Sequence, residues 1–411
     1  MGLNVEELRQ DFPILQKRFE GKPLVYLDNA ATSLKPVQVI EKEMEYYREY
    51  TANIHRGMHK MSEQASREFE KAHEKAAKFI GAKGIEEIVF TRNATESFNL
   101  IAYSLLNEGF FKKGDEVLVS KMEHHANLVP WQFLERKAGV KLEFVELNKN
   151  FTLDFEDLEK KLNEKTRLVS LTQASNTVAS IVDVKKAGEI VRKNSSALFA
   201  VDGAQAVPHF PVSVKSIGCD FYCFSSHKML GSTGIGVLYG KKELLEKMQP
   251  FQYGGDMIKE VQWHSSSWNE LPFKFEAGTP AIAQGIGFGA AIDYLQKLGL
   301  ENVRKHEKEI TKHALERIKE VKGVKVFGPE DLEKRNGIVL FDAGKLDCHD
   351  IALALDEAAN VAIRSGMHCA QPIVESINPK GLARASFYLY NTKEEIDVFV
   401  ESLKEILGTF K

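Results

Sequence analysis

Apolar and polar positions along this chain alternate between two textures. Short apolar runs stand at 24–27 (LVYL), 87–91 (EIVFT), 116–120 (EVLVS), 167–172 (RLVSLT), 197–202 (ALFAVD), 220–225 (DFYCFS) and 235–240 (IGVLYG). Several are rich in Val, Ile, Leu and Phe without alternation, the pattern of strands buried on both faces of a mostly parallel sheet. Between them lie segments with helical periodicity, such as 39–50 (VIEKEMEYYREY), 66–81 (SREFEKAHEKAAKFIG, closed by Gly81) and 154–162 (DFEDLEKKL). Alternating strand and helix units predict an α/β fold around a central sheet. After about Gly285 the texture changes: two long helices (290–299 and 302–321) precede short strands (325–328, 337–341, 384–390) and a last helix at 393–407. The expected division is a large domain at 20–290 and a smaller α+β domain at 291–411. An N-terminal segment, 1–19, with a capped helix start at Asn4 and Glu7, is expected to pack on the smaller domain.

Length and composition narrow the class. A chain of 411 residues with 43% hydrophobic and 27% charged residues can bury a large core without staples. Lys and Arg number 55 against 58 Asp and Glu, so bulk charge gives no reason to expect a nucleic-acid partner. Four cysteines (219, 223, 348, 369) make no disulfide framework and point to a reducing compartment. No apolar run approaches the roughly 20 residues that span a bilayer, and the opening MGLNVEELRQDF has no apolar stretch. A soluble, cytoplasmic protein is expected, without membrane association.

Ligands of open α/β sheets bind beyond the carboxyl ends of the strands, so the residues following each apolar run matter most. Lys228, after Ser225, Ser226 and His227, could lose its proton and act as a Schiff-base amine, or be one solvated lysine among many. The glycines at 231, 234 and 236 match neither the Walker nor the dinucleotide pattern. Asp202, followed by Gly203 and Gln205, could pair with a cofactor cation or merely cap a turn. Thr95 stands at a helix start after a strand, suited to a phosphate or to simple capping. His124 and His125 follow another strand end, where a flat imidazole could stack on a ring. His55 and His59 have i, i+4 spacing, but without HExxH or paired CxxC no metal is expected. Cys369, between His368 and Ala370 and near Arg364, is a loop thiol whose cationic neighbour would favour the thiolate. Cys219 and Cys223 are expected inside their strand and Cys348 partly exposed at a helix start. Arg384 opens a strand and could clamp a carboxylate. A phosphate cradle, a stacking His, an acid, an amine, a carboxylate clamp and a thiol together fit pyridoxal phosphate (PLP).

In order along the chain, YLDNAATS, TRNATES, MEHHANLVPW, VDGAQAV, SSHKMLGSTGIG, FEAGTP and RSGMHCAQP resemble the successive motifs of the group II (Suf-type) cysteine desulfurases. These are PLP enzymes of aminotransferase class V and fold type I, related to selenocysteine lyases. The resemblance spans about residues 5–407. It implies a large domain with a mostly parallel central sheet, a smaller α+β domain, and conversion of L-cysteine to alanine for iron–sulfur cluster assembly. By position it makes Lys228 the amine that carries the cofactor and later moves the substrate's α-proton. Asp202 would meet the ring nitrogen, Gln205 the phenolic oxygen, and His124 the ring face. Thr95, Ser225 and His227 would hold the phosphate, joined by Thr279 from a second subunit of a homodimer. Arg384, with Asn176 and Arg364, would hold the substrate carboxylate, and Cys369 would take the sulfur as a persulfide. The recipient would be a SufE- or SufU-type protein or a cluster scaffold. Where the family commonly has Gly, His and Gly, this chain has Ser226, Gln173 and Ala179. The competing readings are a selenocysteine lyase or other class V enzyme, and a non-catalytic scaffold of the same fold.

Overall fold

The computed structural model describes residues 2–344 and 346–409. Its central sheet has seven strands: β1 (Ile88–Thr91), β2 (Glu116–Ser120), β3 (Lys141–Val145), β4 (Thr166–Thr172), β5 (Leu198–Asp202), β6 (Phe221–Ser225) and β7 (Gly236–Gly240). Their order is β1-β7-β6-β5-β4-β2-β3, parallel throughout except β7, which runs against both neighbours. The continuous apolar runs have the expected cause, since β1, β6 and β7 are buried at every position. Six of the seven predicted runs lie in this sheet. The seventh, LVYL, does not. Only Val25–Tyr26 is a strand, and it pairs in parallel with Val361–Ala362. The strand of this sheet without a predicted run, β3, is an edge strand with only Val145 buried, so it carries a weak apolar signal.

A second sheet, β8 (Lys325–Phe327), β9 (Ile338–Asp342), β10 (Arg364–Gly366) and β11 (Leu382–Ser386), is antiparallel in the order β8-β9-β11-β10. The helices Leu300–Ile318, Cys348–Ala359 and Lys393–Thr409 pack around it over a separate apolar core. The helix Ile282–Leu298 belongs instead with Val37–Glu49 and Lys60–Ile80. A Cβ at Gly285 would stand 2.5 Å from the Phe69 ring, so the close approach of these helices needs glycine there. Position 290 lies inside this helix. The chain turns at Gly299, φ 77°, and we place the division between the two bodies there.

The N-terminal segment bridges both bodies. Arg9 Nη1 reaches Glu395 at 2.8 Å, while Asp11 accepts from Tyr294 Oη at 2.8 Å and Phe12 packs against Tyr294 and Tyr390. Two cysteine expectations change. Cys219 is buried just before β6 rather than within it, and Cys348 is buried, its thiol near the Lys380 carbonyl at 3.7 Å.

Ala179, where the family has glycine, sits in the left-handed region at φ 62°. That conformation costs a residue with a Cβ about 1 kcal/mol. Its methyl is fully buried in a small cluster with Ala30 and Ile338, which returns about 0.8 kcal/mol. Because the two nearly cancel, Ala179→Gly is expected to stay within about 0.5 kcal/mol of the parent in urea unfolding. Ala179→Val, β-branched and overpacked at the same backbone, is expected to cost about 2–4 kcal/mol. A large destabilisation by glycine would refute this balance.

Candidate active site

Lys228 ends a short 3-10 turn, Ser226–Lys228, directly after β6. It opens on a cavity of about 240 Å³ at the carboxyl ends of the parallel strands. The same cavity is lined by Thr95, His124, Asn176, Asp202, Gln205, Ser225, His227, Arg364, Cys369 and Arg384. Eleven of the twelve residues singled out in the sequence therefore converge. The twelfth, Thr279, lines a different cavity with Arg92, Glu96 and Phe251.

Burial sets the electrostatics. It lowers the Lys228 amine pKa, aided by Arg384 and opposed by Asp202, which favours the neutral nucleophile. Asp202, the last residue of β5, is 4% exposed, and burial raises its carboxyl pKa against the pull of Lys228 and the Ala204 N–H. Burial and then the Lys228 charge hold the His124 imidazole pKa down to about 3. Its Nδ1 accepts from the Ala126 N–H at 3.0 Å, so the ring is neutral with its proton on Nε2. His227 is likewise pushed down to about 4, first by burial.

The helix Ala94–Asn107 presents its N-terminus at the same end. The Ala94 N–H goes to Ser225 Oγ (2.9 Å) and that of Glu96 to Asn93 Oδ1 (3.0 Å), which leaves the Thr95 N–H and hydroxyl for an anion. Gln205 is oriented by donating from Nε2 to the Ala30 carbonyl at 2.7 Å. At the opposite side Arg384 is 1% exposed. Its Nη1 donates to the Asn176 carbonyl (2.8 Å) and its Nη2 to Asp28 Oδ1 (3.0 Å), while Nε has no partner among the described residues. A buried guanidinium with an N–H left unpartnered suits a carboxylate. Arg364 lies nearer solvent, 3.9 Å from Asp28 Oδ2.

Three neighbours make contacts that the sequence does not show. Asp28 sits between the two guanidiniums, His125 holds the thiol loop, and His368 donates from Nε2 to the Leu382 carbonyl at 2.9 Å. Asp28 lies within YLDNAATS, and His125 is the second imidazole of MEHHANLVPW, but their partners are more than 200 positions away. Two departures from the family pattern also find their places. Gln173 accepts from the Tyr222 hydroxyl below the strand ends, where a Cβ on Gly203 would collide with the Tyr222 ring. Ser226 is fully buried, and its hydroxyl has no partner among the described residues.

Fold and cavity define an α/β enzyme in which a buried lysine, a buried acid and a helix start gather at parallel strand ends, facing an arginine of a second sheet. Residues 25–399 match the aminotransferase class-V family, and the chain belongs to that family. A probable cysteine desulfurase of Halalkalibacterium halodurans is 47% identical over 405 residues, covering 98% of each chain. Among solved structures, a cysteine desulfurase of Thermococcus onnurineus superposes with a TM-score of 0.93 at 40% identity, covering 98% of both chains. One from Escherichia coli superposes at 0.91 with 35% identity over 99% of both.

Proposed function

We propose that this protein is a PLP-dependent cysteine desulfurase that converts L-cysteine to L-alanine and keeps the sulfur on Cys369 as a persulfide. The observation that carries this reading is one cavity holding an amine (Lys228), a carboxylate clamp (Arg384) and an exposed thiol (Cys369). A transaminase has no use for the last. The family is PLP-dependent, and the residues present fit that cofactor. Lys228 would attach it, Asp202 would meet its ring nitrogen, Gln205 its phenolic oxygen and His124 its face. Thr95, Ser225 and His227 would receive its phosphate. When bound, the cofactor supplies an electron sink next to the substrate's Cα.

The chain's own groups do the rest. Arg384, assisted by Arg364 and Asn176, holds the substrate carboxylate and so turns the substrate's sulfur toward Cys369. Lys228, with its lowered pKa, takes and returns a proton at the substrate's Cα. The Cys369 thiolate attacks the substrate sulfur. The C–S bond breaks as an S–S bond forms, carbon keeps the electron pair and gains a proton, and alanine leaves. Both sulfurs are then at the persulfide level, and no outside oxidant is required.

A homodimer completes this reading. Thr279 lies outside its own cavity, beside the helix start that carries Thr95, where it could serve a neighbouring copy. Met58 (97% exposed), Val261 (65%) and Trp263 (99%) are exposed apolar side chains, on two segments that meet where Arg56 donates to the Ile258 carbonyl at 3.4 Å. Exposed apolar surface of this kind suits a subunit interface. No described helix is long and apolar enough to cross a membrane. The proposed setting is the cytoplasm, with sulfur passing to a SufE- or SufU-type acceptor or to a scaffold for iron–sulfur clusters. The deciding test gives the purified protein L-cysteine and measures alanine and sulfide together, with and without reductant. Alanine should form with or without reductant in the first turnover, and sulfide only with it. Absence of alanine would end the proposal.

A further inference from the structure

The loop that carries Cys369 is strained and must be held. His368 (φ 51°) and Cys369 (φ 54°) are consecutive non-glycine residues in the left-handed region, at a cost of about 1 kcal/mol each. Four contacts from outside the loop restrain it. Asn176 Nδ2 donates to the His368 carbonyl (2.7 Å), and His368 Nε2 lies 2.9 Å from the Leu382 carbonyl. The other two come from a single residue. The His125 backbone N–H donates to the Cys369 carbonyl at 2.7 Å, and His125 Nε2 accepts from the Gln371 N–H at 3.0 Å.

Gln371 opens the helix Gln371–Ile377, so its N–H lacks an intrahelical partner and the imidazole supplies one. Accepting there requires an unprotonated Nε2. Burial lowers the His125 pKa and favours that neutral ring. His125 also follows His124 directly, with their ring centroids 6.3 Å apart. One dipeptide therefore presents a flat ring to the cavity and grips the thiol loop at Cys369 and again two residues beyond it.

We propose that His125 is the positioning residue that fixes the Cys369 thiol relative to the Lys228 cavity, through a ring Nε2 that caps the helix following the thiol. This rests on the desulfurase reading for its kinetic consequence but not for the clamp itself. His125→Ala removes the acceptor and keeps the backbone bond, whereas His125→Gln offers a side-chain acceptor of similar reach that does not titrate.

The test compares both variants with the parent as holoenzymes. Three quantities are read: alanine formation from L-cysteine, the rate of Cys369 alkylation by iodoacetamide followed on its peptide, and cofactor absorbance. A misplacement of about 1 Å at a reacting group costs up to about a hundredfold. His125→Ala is expected to lower kcat about ten- to a hundredfold with KM within about twofold and absorbance unchanged. Its alkylation rate should differ from the parent's by several-fold, and His125→Gln should recover kcat and alkylation to within about threefold. Parent-like kcat and alkylation in His125→Ala would overturn the proposal. So would a glutamine variant that binds cofactor but behaves like the alanine one, or an activity loss that only follows lost cofactor. If the parent makes no alanine, the desulfurase reading fails, and the alkylation rates still decide the clamp.

Discussion

Cys369→Ala is expected to lower alanine formation from L-cysteine by about a thousandfold or more while the protein keeps its yellow cofactor. The loss follows from chemistry: without the thiol, no nucleophile is placed to take the substrate's sulfur, and the C–S bond has no partner for exchange. Retention of the cofactor follows from geometry. Cys369 holds its loop through its carbonyl, which receives the His125 N–H, and alanine keeps that carbonyl. Both residues bear a Cβ, so the left-handed backbone at φ 54° is no harder for alanine than for cysteine. The thiol is exposed, so removing it opens no internal cavity. The measurements are alanine release, enzyme-bound persulfide by mass, and the visible spectrum. Full activity toward L-cysteine would disprove the persulfide route. Activity kept only toward L-selenocysteine would mark a lyase, because selenium elimination needs that thiol far less.

Lys228→Ala and Lys228→Arg are both expected to fall by about a thousandfold or more, with loss of the covalently held cofactor. Burial lowers the lysine pKa and frees its lone pair, whereas arginine stays charged and cannot serve as the amine. The pair of variants separates charge from nucleophilicity. In Lys228→Ala, Asp202 also loses the amine whose charged form opposes the rise of its carboxyl pKa. A carboxyl whose folded pKa lies above its unfolded one is destabilising at every pH above the unfolded value. The alanine variant without cofactor should therefore be less stable at neutral pH than near pH 4, relative to the parent. Assay and reductive trapping of the lysine adduct check the first claim, and urea midpoints at the two pH values check the second. More than a tenth of parental turnover in either variant would remove Lys228 from its role.

The same contrast between near and far neighbours explains what could be read from the chain. Asp202, Ser225 and Lys228 were legible because each follows a buried apolar run, and in a parallel sheet those ends share one edge. Thr95 was legible because a strand and a helix start lie within a few residues. The β3 strand was missed since an edge strand needs only one buried position. LVYL was misplaced because an apolar tetrapeptide states that a strand can form but not which strand it joins, and its partner at 361–362 is far along the chain.

By itself, then, the sequence determined the sheet's buried strands, the residues at their carboxyl ends and the motifs that match a family, because burial on both faces and short-range backbone geometry are written locally. Only the tertiary structure decided that Asp28 stands between Arg364 and Arg384, that Thr279 lies outside its own cavity, and that His125 grips the loop of Cys369. Those contacts join segments hundreds of residues apart. Such hydrogen bonds and ion pairs exist only once the tertiary fold has brought those segments together.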